Sequence, residues 1–404
     1  MTASSAAPRP RPRNRRAEIA RNAAELFSVR GFHAVRMDDI ADASGITARA
    51  LYRHYANKQA LLSHVVLEDQ QHVVDTITEL VAQPRDLDST LAALTEAALD
   101  SRRLSLLWQR EARHLDGEDF LLVRTRTQWI AERFGELLLG HRRRELGDEV
   151  TDLRSWVIVS VISGAGFYDS PLPHPRLAQE LAAASRRVIL APEVSQVSGA
   201  GGPARVADRA PLARREQLVA AAAQEFRVKG FASVGIDDIG GRVGVVGPAL
   251  YRYFDTKADI LVAAVSRWHE WLALEAARAL RAPVPDEAVL GLLVEGYVRT
   301  ALDATDLLAV WLTERLYLPD AVRERLDRVQ ADSLAEWQHW LSVARPDLPD
   351  ADAATLVKTA KTIIDDCARI PHLRRLPTVT AELSGSALAA LGLPRAGRPS
   401  GSGR

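Results

Sequence analysis

The sequence predicts an all-α chain made of two tandem copies of one unit, each a three-helix helix-turn-helix domain followed by a larger helical domain. Three observations carry this. A 47-residue segment recurs without a gap, the recurring segment has the apolar spacing of short helices joined by a glycine turn, and the stretches after each copy keep a helical period with no convincing strand.

The repeat sets the boundaries. Arg16–Leu62 aligns on Arg215–Leu261 at a constant offset of 199, with 18 of 47 positions identical. Among them are Gly31-Phe32 and Gly230-Phe231, Asp38-Asp39-Ile40 and Asp237-Asp238-Ile239, and Ala50-Leu51-Tyr52-Arg53 and Ala249-Leu250-Tyr251-Arg252. A fainter match continues it: Trp108, Glu111 and Leu115 recur as Trp311, Glu314 and Leu318 at an offset of 203. Between the copies, Pro192–Pro211 contains Ser-Gly-Ala-Gly-Gly-Pro and reads as a flexible linker. The expected organisation is a disordered tail at 1–12, helix-turn-helix domains at 13–73 and 212–272, helical domains at 74–191 and 273–392, the linker at 192–211 and a second tail at 393–404.

In the first copy Ile19, Ala23, Leu26 and Phe27 share one helix face, and Gly31 ends the helix because a left-handed residue there costs glycine little. A short second helix spans about Asp38–Ser44, its acidic first turn suiting a helix N-terminus. Gly45 supplies a turn, and Thr47 can accept a free backbone N–H to open a third helix over about Ala48–Tyr55. Asn57 caps a long fourth helix starting at Lys58. Two short helices joined by a glycine-containing turn describe a helix-turn-helix, whose second helix enters the major groove. Its outer face carries Ala48, Arg49, Tyr52, Arg53 and His54. Arg49 can donate twice to a guanine edge, Ala48 and Ala50 permit close approach, and Tyr52 and Lys58 can reach phosphates. For any one of these residues, a packing or solvent-facing role competes with DNA contact.

Net charge is zero, which alone argues against a nucleic-acid partner, but its distribution argues the other way. Residues 1–62 carry +6 and residues 205–262 carry +2, leaving −8 elsewhere. A polyanion needs only the contacting surface to be positive. The single cysteine, Cys367, excludes an intramolecular disulfide and a cysteine-based zinc site. The histidines form no HxxxH or HExxH pattern, and no nucleophile elbow, phosphate loop or dinucleotide-binding glycine run is present, so no cofactor and no enzyme are expected. No apolar run approaches the roughly 20 residues needed to span a bilayer, and the N-terminus lacks a secretory pattern, so a cytoplasmic protein without membrane contact is expected.

GFHAVRMDDIADASGITARALYRHYANKQALL and GFASVGIDDIGGRVGVVGPALYRYFDTKADIL both resemble the DNA-binding segment of the TetR family. The shared pattern is Gly-Phe, an Asp-Ile core, Gly-Ile or Gly-Val, then Leu-Tyr-Arg-x-Tyr or Leu-Tyr-Arg-x-Phe, and a Lys. The resemblance implies a transcriptional regulator that binds operator DNA as a two-fold assembly and represses until a small molecule binds its larger helical domain. It implies DNA contacts at Thr47, Ala48, Arg49, Ala50, Tyr52, His54 and Lys58. In the second copy these become Gly247, Pro248, Ala249, Tyr251, Tyr253 and Lys257, with Arg252 matching Arg53. Both copies depart from the family pattern. Arg36 and Gly235 replace the usual Ser or Thr cap of the second helix. In the second copy Gly240-Gly241 lies within that helix at about 1 kcal/mol per glycine, Val246 replaces Thr47 and Pro248 replaces Arg49. The second unit is therefore expected to bind more weakly or to read another sequence. The arm Arg9–Arg16 either follows the minor groove or phosphates or is a soluble tail.

Breaks at Pro84, Gly117, Gly147, Pro171, Pro283, Pro319 and Pro346 divide the remainder into helices. Its tryptophans line an apolar ligand pocket or form ordinary core. Trp108, Glu111, Trp311 and Glu314 are the candidate effector residues, with ion pairing as the competing role of the glutamates. Trp156–Phe167 with Leu177–Leu190, and Leu356–Ala368 with Val379–Leu391, correspond to the family's dimerising helices. The halves therefore pair within one chain as a pseudo-dimer, or two chains pair as a homodimer. A linker of about 20 residues spans at most about 65 Å, which permits the first arrangement. Two other functions stay open: a ligand-binding or heterodimerising adaptor in which only the first unit reads DNA, and a helical enzyme.

Overall fold

The computed structural model describes residues 12–100, 107, 110–193, 211–245 and 247–394; all regular elements among them are helical. The expected tails and linker fall almost wholly outside the described residues, as do Trp108 and Val246.

The first unit begins with α1 (Pro12–Arg30), whose Ile19, Ala23 and Phe27 are fully buried. Gly31 follows in the left-handed region with φ of 79°, and Gly230 repeats this at 80° in the second unit. Helices α2 (Met37–Ala43) and α3 (Ala48–Tyr52) are separated by Gly45, at φ of 61°. Helix α3 is shorter than expected, ending at Tyr52 rather than Tyr55. At α2 the missing Ser or Thr cap is made good from the other direction. The Arg36 N–H donates to Asp39 Oδ2 at 2.7 Å, and the Gly235 N–H donates to Asp238 Oδ2 at the same distance.

Asn57 accepts the Ala60 N–H at 2.7 Å and opens α4 (Lys58–Ala82). This helix serves two cores. Its first half buries Leu61, Leu62, Val65 and Val66 with the helix-turn-helix, while Val73, Ile77 and Leu80 bury in the helical domain. That domain continues through α5 (Leu87–Asp100), α6 (Gly117–Phe134), α7 (Arg143–Ser163) and α8 (His174–Leu190). Gly147 kinks α7 with φ of 73°.

The second half repeats the order: α9 (Arg214–Lys229), α10 (Ile236–Arg242), α11 (Gly247–Leu250), α12 (Lys257–Leu280), α13 (Asp286–Asp303), α14 (Thr305–Glu314), α15 (Asp320–Ala344), α16 (Asp350–Cys367) and α17 (Val379–Ala390). The expected helix breaks at Pro84, Pro171, Pro283, Pro319 and Pro346 all fall between helices. A Cβ at Gly240 would overlap the Val245 carbonyl oxygen, so the first glycine of the Gly240-Gly241 pair is what lets the turn close onto α10.

Helices α7 and α8 pack against α16 and α17, forming a seam between the halves inside one chain. Its centre is fully buried: Val157, Val161, Leu181, Leu356, Ile364 and Leu383 are excluded from solvent. Arg154 is buried with it. Its guanidinium donates to the Ala191 and Pro192 carbonyls at 2.6 and 2.7 Å and pairs with Glu382 across the seam at 3.3 Å. Tyr168 and Thr359 hydroxyls meet at 2.8 Å, and Arg176 pairs with Asp352 at 2.6 Å. The second helix-turn-helix is continuous with the seam core, whereas the first keeps a separate core of its own.

Candidate nucleic-acid interface

Thr47 accepts the Ala50 N–H at 3.2 Å, which sets the start of α3. Leu51 and Tyr55 are buried beneath the helix, so its opposite side turns Arg49, Tyr52 and Arg53 to solvent. Tyr52 is 52% exposed, a ring left open to water. Ala48, Ala50 and His54 are half-buried at the edges of that face. Neither Arg49 nor Arg53 enters an ion pair among the described residues. The face thus offers two free guanidiniums and a phenol beside small side chains, the chemistry that phosphates and base edges accept.

In the second unit Gly247 and Pro248 form the first turn of α11, and Ala249 is half-buried. Tyr251, Arg252 and Tyr253 are exposed over buried Leu250 and Phe254. Much of the surrounding positive charge is neutralised locally. Lys229 pairs with Glu225 at 2.8 Å and Asp238 at 3.1 Å, Arg242 pairs with Glu225, and Arg227 pairs with Asp306 at 2.5 Å.

Lys58 and Lys257, expected at phosphates, hold the units together from within. Lys58 Nζ donates to the Phe32 and Val35 carbonyls at 2.6 and 2.7 Å and lies 4.3 Å from the Phe32 ring centroid. Lys257 repeats this on Phe231 and Val234 at 2.7 and 2.8 Å. Burial lowers the pKa of both lysines. Two of the three N–H donors are committed, so any phosphate contact falls to the third. The matched pair Arg15 and Arg214 was missed by sequence reasoning. They donate to the Ser44 and Val243 carbonyls, tying the first helix of each unit to the end of its second.

The candidate effector residues Glu111 and Glu314 are also engaged by the protein. Glu314 Oε2 accepts the Phe231 N–H at 3.0 Å, and Glu111 lies against the matching Gly31–Phe32 turn. Burial, first among the causes, raises the Glu111 pKa, while Arg110, Arg113 and the Phe32 N–H oppose it. Each glutamate therefore clamps its own helix-turn-helix to its own helical domain. The turn after each crosses the seam: Arg113 of the first half donates to Glu314 Oε1 at 2.5 Å and packs on Gly230, while Leu316 of the second packs on Gly31. His114 stacks on Phe32 at 4.9 Å, as Tyr317 meets Phe231 at 5.3 Å. The offset of 203 signalled these clamps, but nothing in the sequence named their partners. Trp311 is buried with its ring 4.5 Å from His269, a core position.

The family profile described as "Bacterial regulatory proteins, tetR family" matches residues 19–65 and again 218–264, the two units just described. Each unit thus carries a TetR-type DNA-binding segment. The chain is 34% identical to the HTH-type transcriptional repressor KstR2 of Rhodococcus jostii over 105 residues, 25% of this chain and 52% of that protein. It is 33% identical to the HTH-type transcriptional activator FasR of Mycolicibacterium smegmatis over 86 residues, 21% of this chain and 39% of that protein. The matched stretches thus span about half, or less, of these relatives' own length. The solved ketosteroid transcriptional regulator KstR2 of Mycobacterium tuberculosis aligns at 21% identity and a TM-score of 0.38, over 43% of this chain and 92% of that structure. All three are named as transcription regulators. Among the described residues no helix is long and apolar enough to cross a membrane.

Proposed function

We propose that this chain is a sequence-specific DNA-binding transcription regulator in which a single polypeptide presents two helix-turn-helix units to operator DNA. The observation that carries the reading is the α3 face: a capped helix with Arg49, Tyr52 and Arg53 exposed and neither arginine in an ion pair among the described residues. In this reading 13–73 and 212–272 are the DNA-binding domains and 74–191 and 273–392 receive the effector and form the seam. The seam supports an intramolecular pseudo-dimer, in which the second half stands where a partner subunit would. The finer reading is repression relieved by a small, largely apolar effector, which binds best when the recognition helices are badly spaced for DNA.

A second reading rests on the locally neutralised charge of the second unit. There only the first unit reads bases, and the second is a scaffold or adaptor.

Selection of bound sites from random duplex DNA by the full chain tests both. The expected result is a defined site, with affinity that falls as salt rises. Arg49→Ala should cost about 1–3 kcal/mol and relax one position of the site. Loss of affinity in Tyr253→Ala supports reading by both units, and an unchanged affinity supports the adaptor. Salt-insensitive binding, or no enriched site, would overturn the proposal.

A further inference from the structure

Beside the clamp on the second helix-turn-helix, the two halves form a cavity of about 230 Å³ that is partly open to solvent. Five arginines line it, and among the described residues no acidic one does: Arg110 and Arg113 come from the first half, Arg227, Arg369 and Arg374 from the second. Thr305 and Thr313 add hydroxyls to the same wall.

Part of this charge is answered nearby. Glu314 takes Arg113 at 2.5 Å, Asp306 takes Arg227 at 2.5 Å and Asp366 takes Arg369 at 2.8 Å. Arg374 has only the Thr305 hydroxyl, at 3.2 Å, and pairs with no carboxylate among the described residues. Arg110 is the sharper case. Its side chain is only 10% exposed; the Glu111 carboxylate stands 3.9 Å away, and Glu314 acts on it through space. It donates from Nη1 to the Ser28 carbonyl at 2.9 Å, but its Nε and Nη2 are buried with no hydrogen-bond partner, as is Arg113 Nε. A buried guanidinium with unused donors is costly, and a planar fork of such donors matches an oxyanion.

The arginine lining is not repeated residue for residue between the halves. By the repeat offsets, Ser28 stands where the second half has Arg227, and Thr313 and Leu316 stand where the first half has Arg110 and Arg113.

We propose that this cavity is a binding site for the oxyanion group, phosphate or carboxylate, of a small molecule. One such molecule binds per chain, held by Arg110 and Arg374 with Arg113 shared between the anion and Glu314. The volume lies below the roughly 300 Å³ at which drug-sized pockets begin, so the occupant is a small anion or the charged end of a larger ligand. Because Glu314 also accepts the Phe231 N–H, an anion that draws on Arg113 loosens the clamp on the second helix-turn-helix. The site stands independently of the DNA reading, since it is tested without DNA.

The test is calorimetric titration of the DNA-free full chain with inorganic phosphate, inorganic pyrophosphate and glutarate in separate arms. Saturable binding at one site per chain is expected in at least one arm, and the arm that binds tells phosphate from carboxylate. Arg374→Gln, at an exposed position that leaves the core intact, should weaken that binding at least ten-fold, and Arg110→Met should do the same. Arg186→Gln, a surface arginine paired with Asp88 away from the cavity, should leave it unchanged. Absence of saturable binding in every arm, or binding that Arg374→Gln leaves intact, overturns the proposal.

Discussion

At Lys58 and Lys257 one ammonium gathers three parts of each DNA-binding unit: the turn after the first helix, the aromatic ring within it and the start of the fourth helix. Hydrogen bonds to a charged donor contribute about 1.5–3 kcal/mol each. Lys58→Met should therefore lower unfolding free energy by about 2–4 kcal/mol in urea titration, whereas Arg53→Met, on the exposed face, should stay within about 0.5 kcal/mol. A second residue-scale expectation concerns His114. Its pKa is pushed down to about 3 by burial and then by His33, Arg113 and Lys58, and that of His269 to about 4 by burial and Lys361. Below pH 6.5 the unfolded chain takes up protons that the native histidines refuse, so their contribution to stability is lost as pH falls from there toward 4. Glu111, with its pKa raised by burial, acts in the opposite sense. His114→Tyr places at this position the residue that Tyr317 supplies in the other half. It should keep the stacking on Phe32 while shrinking the fall in melting temperature between pH 7 and pH 5. An unchanged fall would show that His114 is not the titrating group. The recurrence of Lys58 was plain in the sequence but its task was not, because the carbonyls it holds lie 26 and 23 positions earlier and carry no side-chain signature.

At the scale of the element, the glycine turns and the caps were legible because their conformations have few solutions. Gly31, Gly45 and Thr47 do what their residue types dictate, and the matching glycines repeat it. The length of α3 was not legible: Arg53 and His54 have nothing against helix, yet the chain leaves it at Tyr52 to seat Tyr55 in the core. Gly240 was misread from propensity alone. In an ordinary helix Gly→Ala gains up to about 1 kcal/mol, but Gly240→Ala meets the Val245 carbonyl oxygen. It should lower the melting temperature, whereas Gly241→Ala, with open space around it, should raise it. Equal gains from both would remove the steric account. The candidate effector glutamates were visible through their repeat, and ion pairing, the competing role weighed for them, is closer to what they do.

For the whole molecule, the helices that would pair were readable from their position and apolar period. That they pair inside one chain was left open, since the contacts that join them lie about 200 positions apart; Arg154 and Glu382 are separated by 228. Arg154→Met leaves a buried carboxylate without its cation and should cost about 3–5 kcal/mol in chemical denaturation. The double variant Arg154→Met/Glu382→Met should recover most of that loss. A double variant no better than the single would mean that the Ala191 and Pro192 carbonyls, rather than the ion pair, are what Arg154 serves.

Because the seam joins two stretches of one polypeptide, it is encoded once on each side. In a two-fold homodimer every substitution appears twice, and each surface must complement its own copy. Here Arg227 could arise where the first half keeps Ser28, with no matching change required on the other flank. In the proposed pseudo-dimer the same covalent link would make the pairing independent of dilution. Occupancy of a target would then rise in simple proportion to the amount of protein, where a dissociating dimer would follow its square.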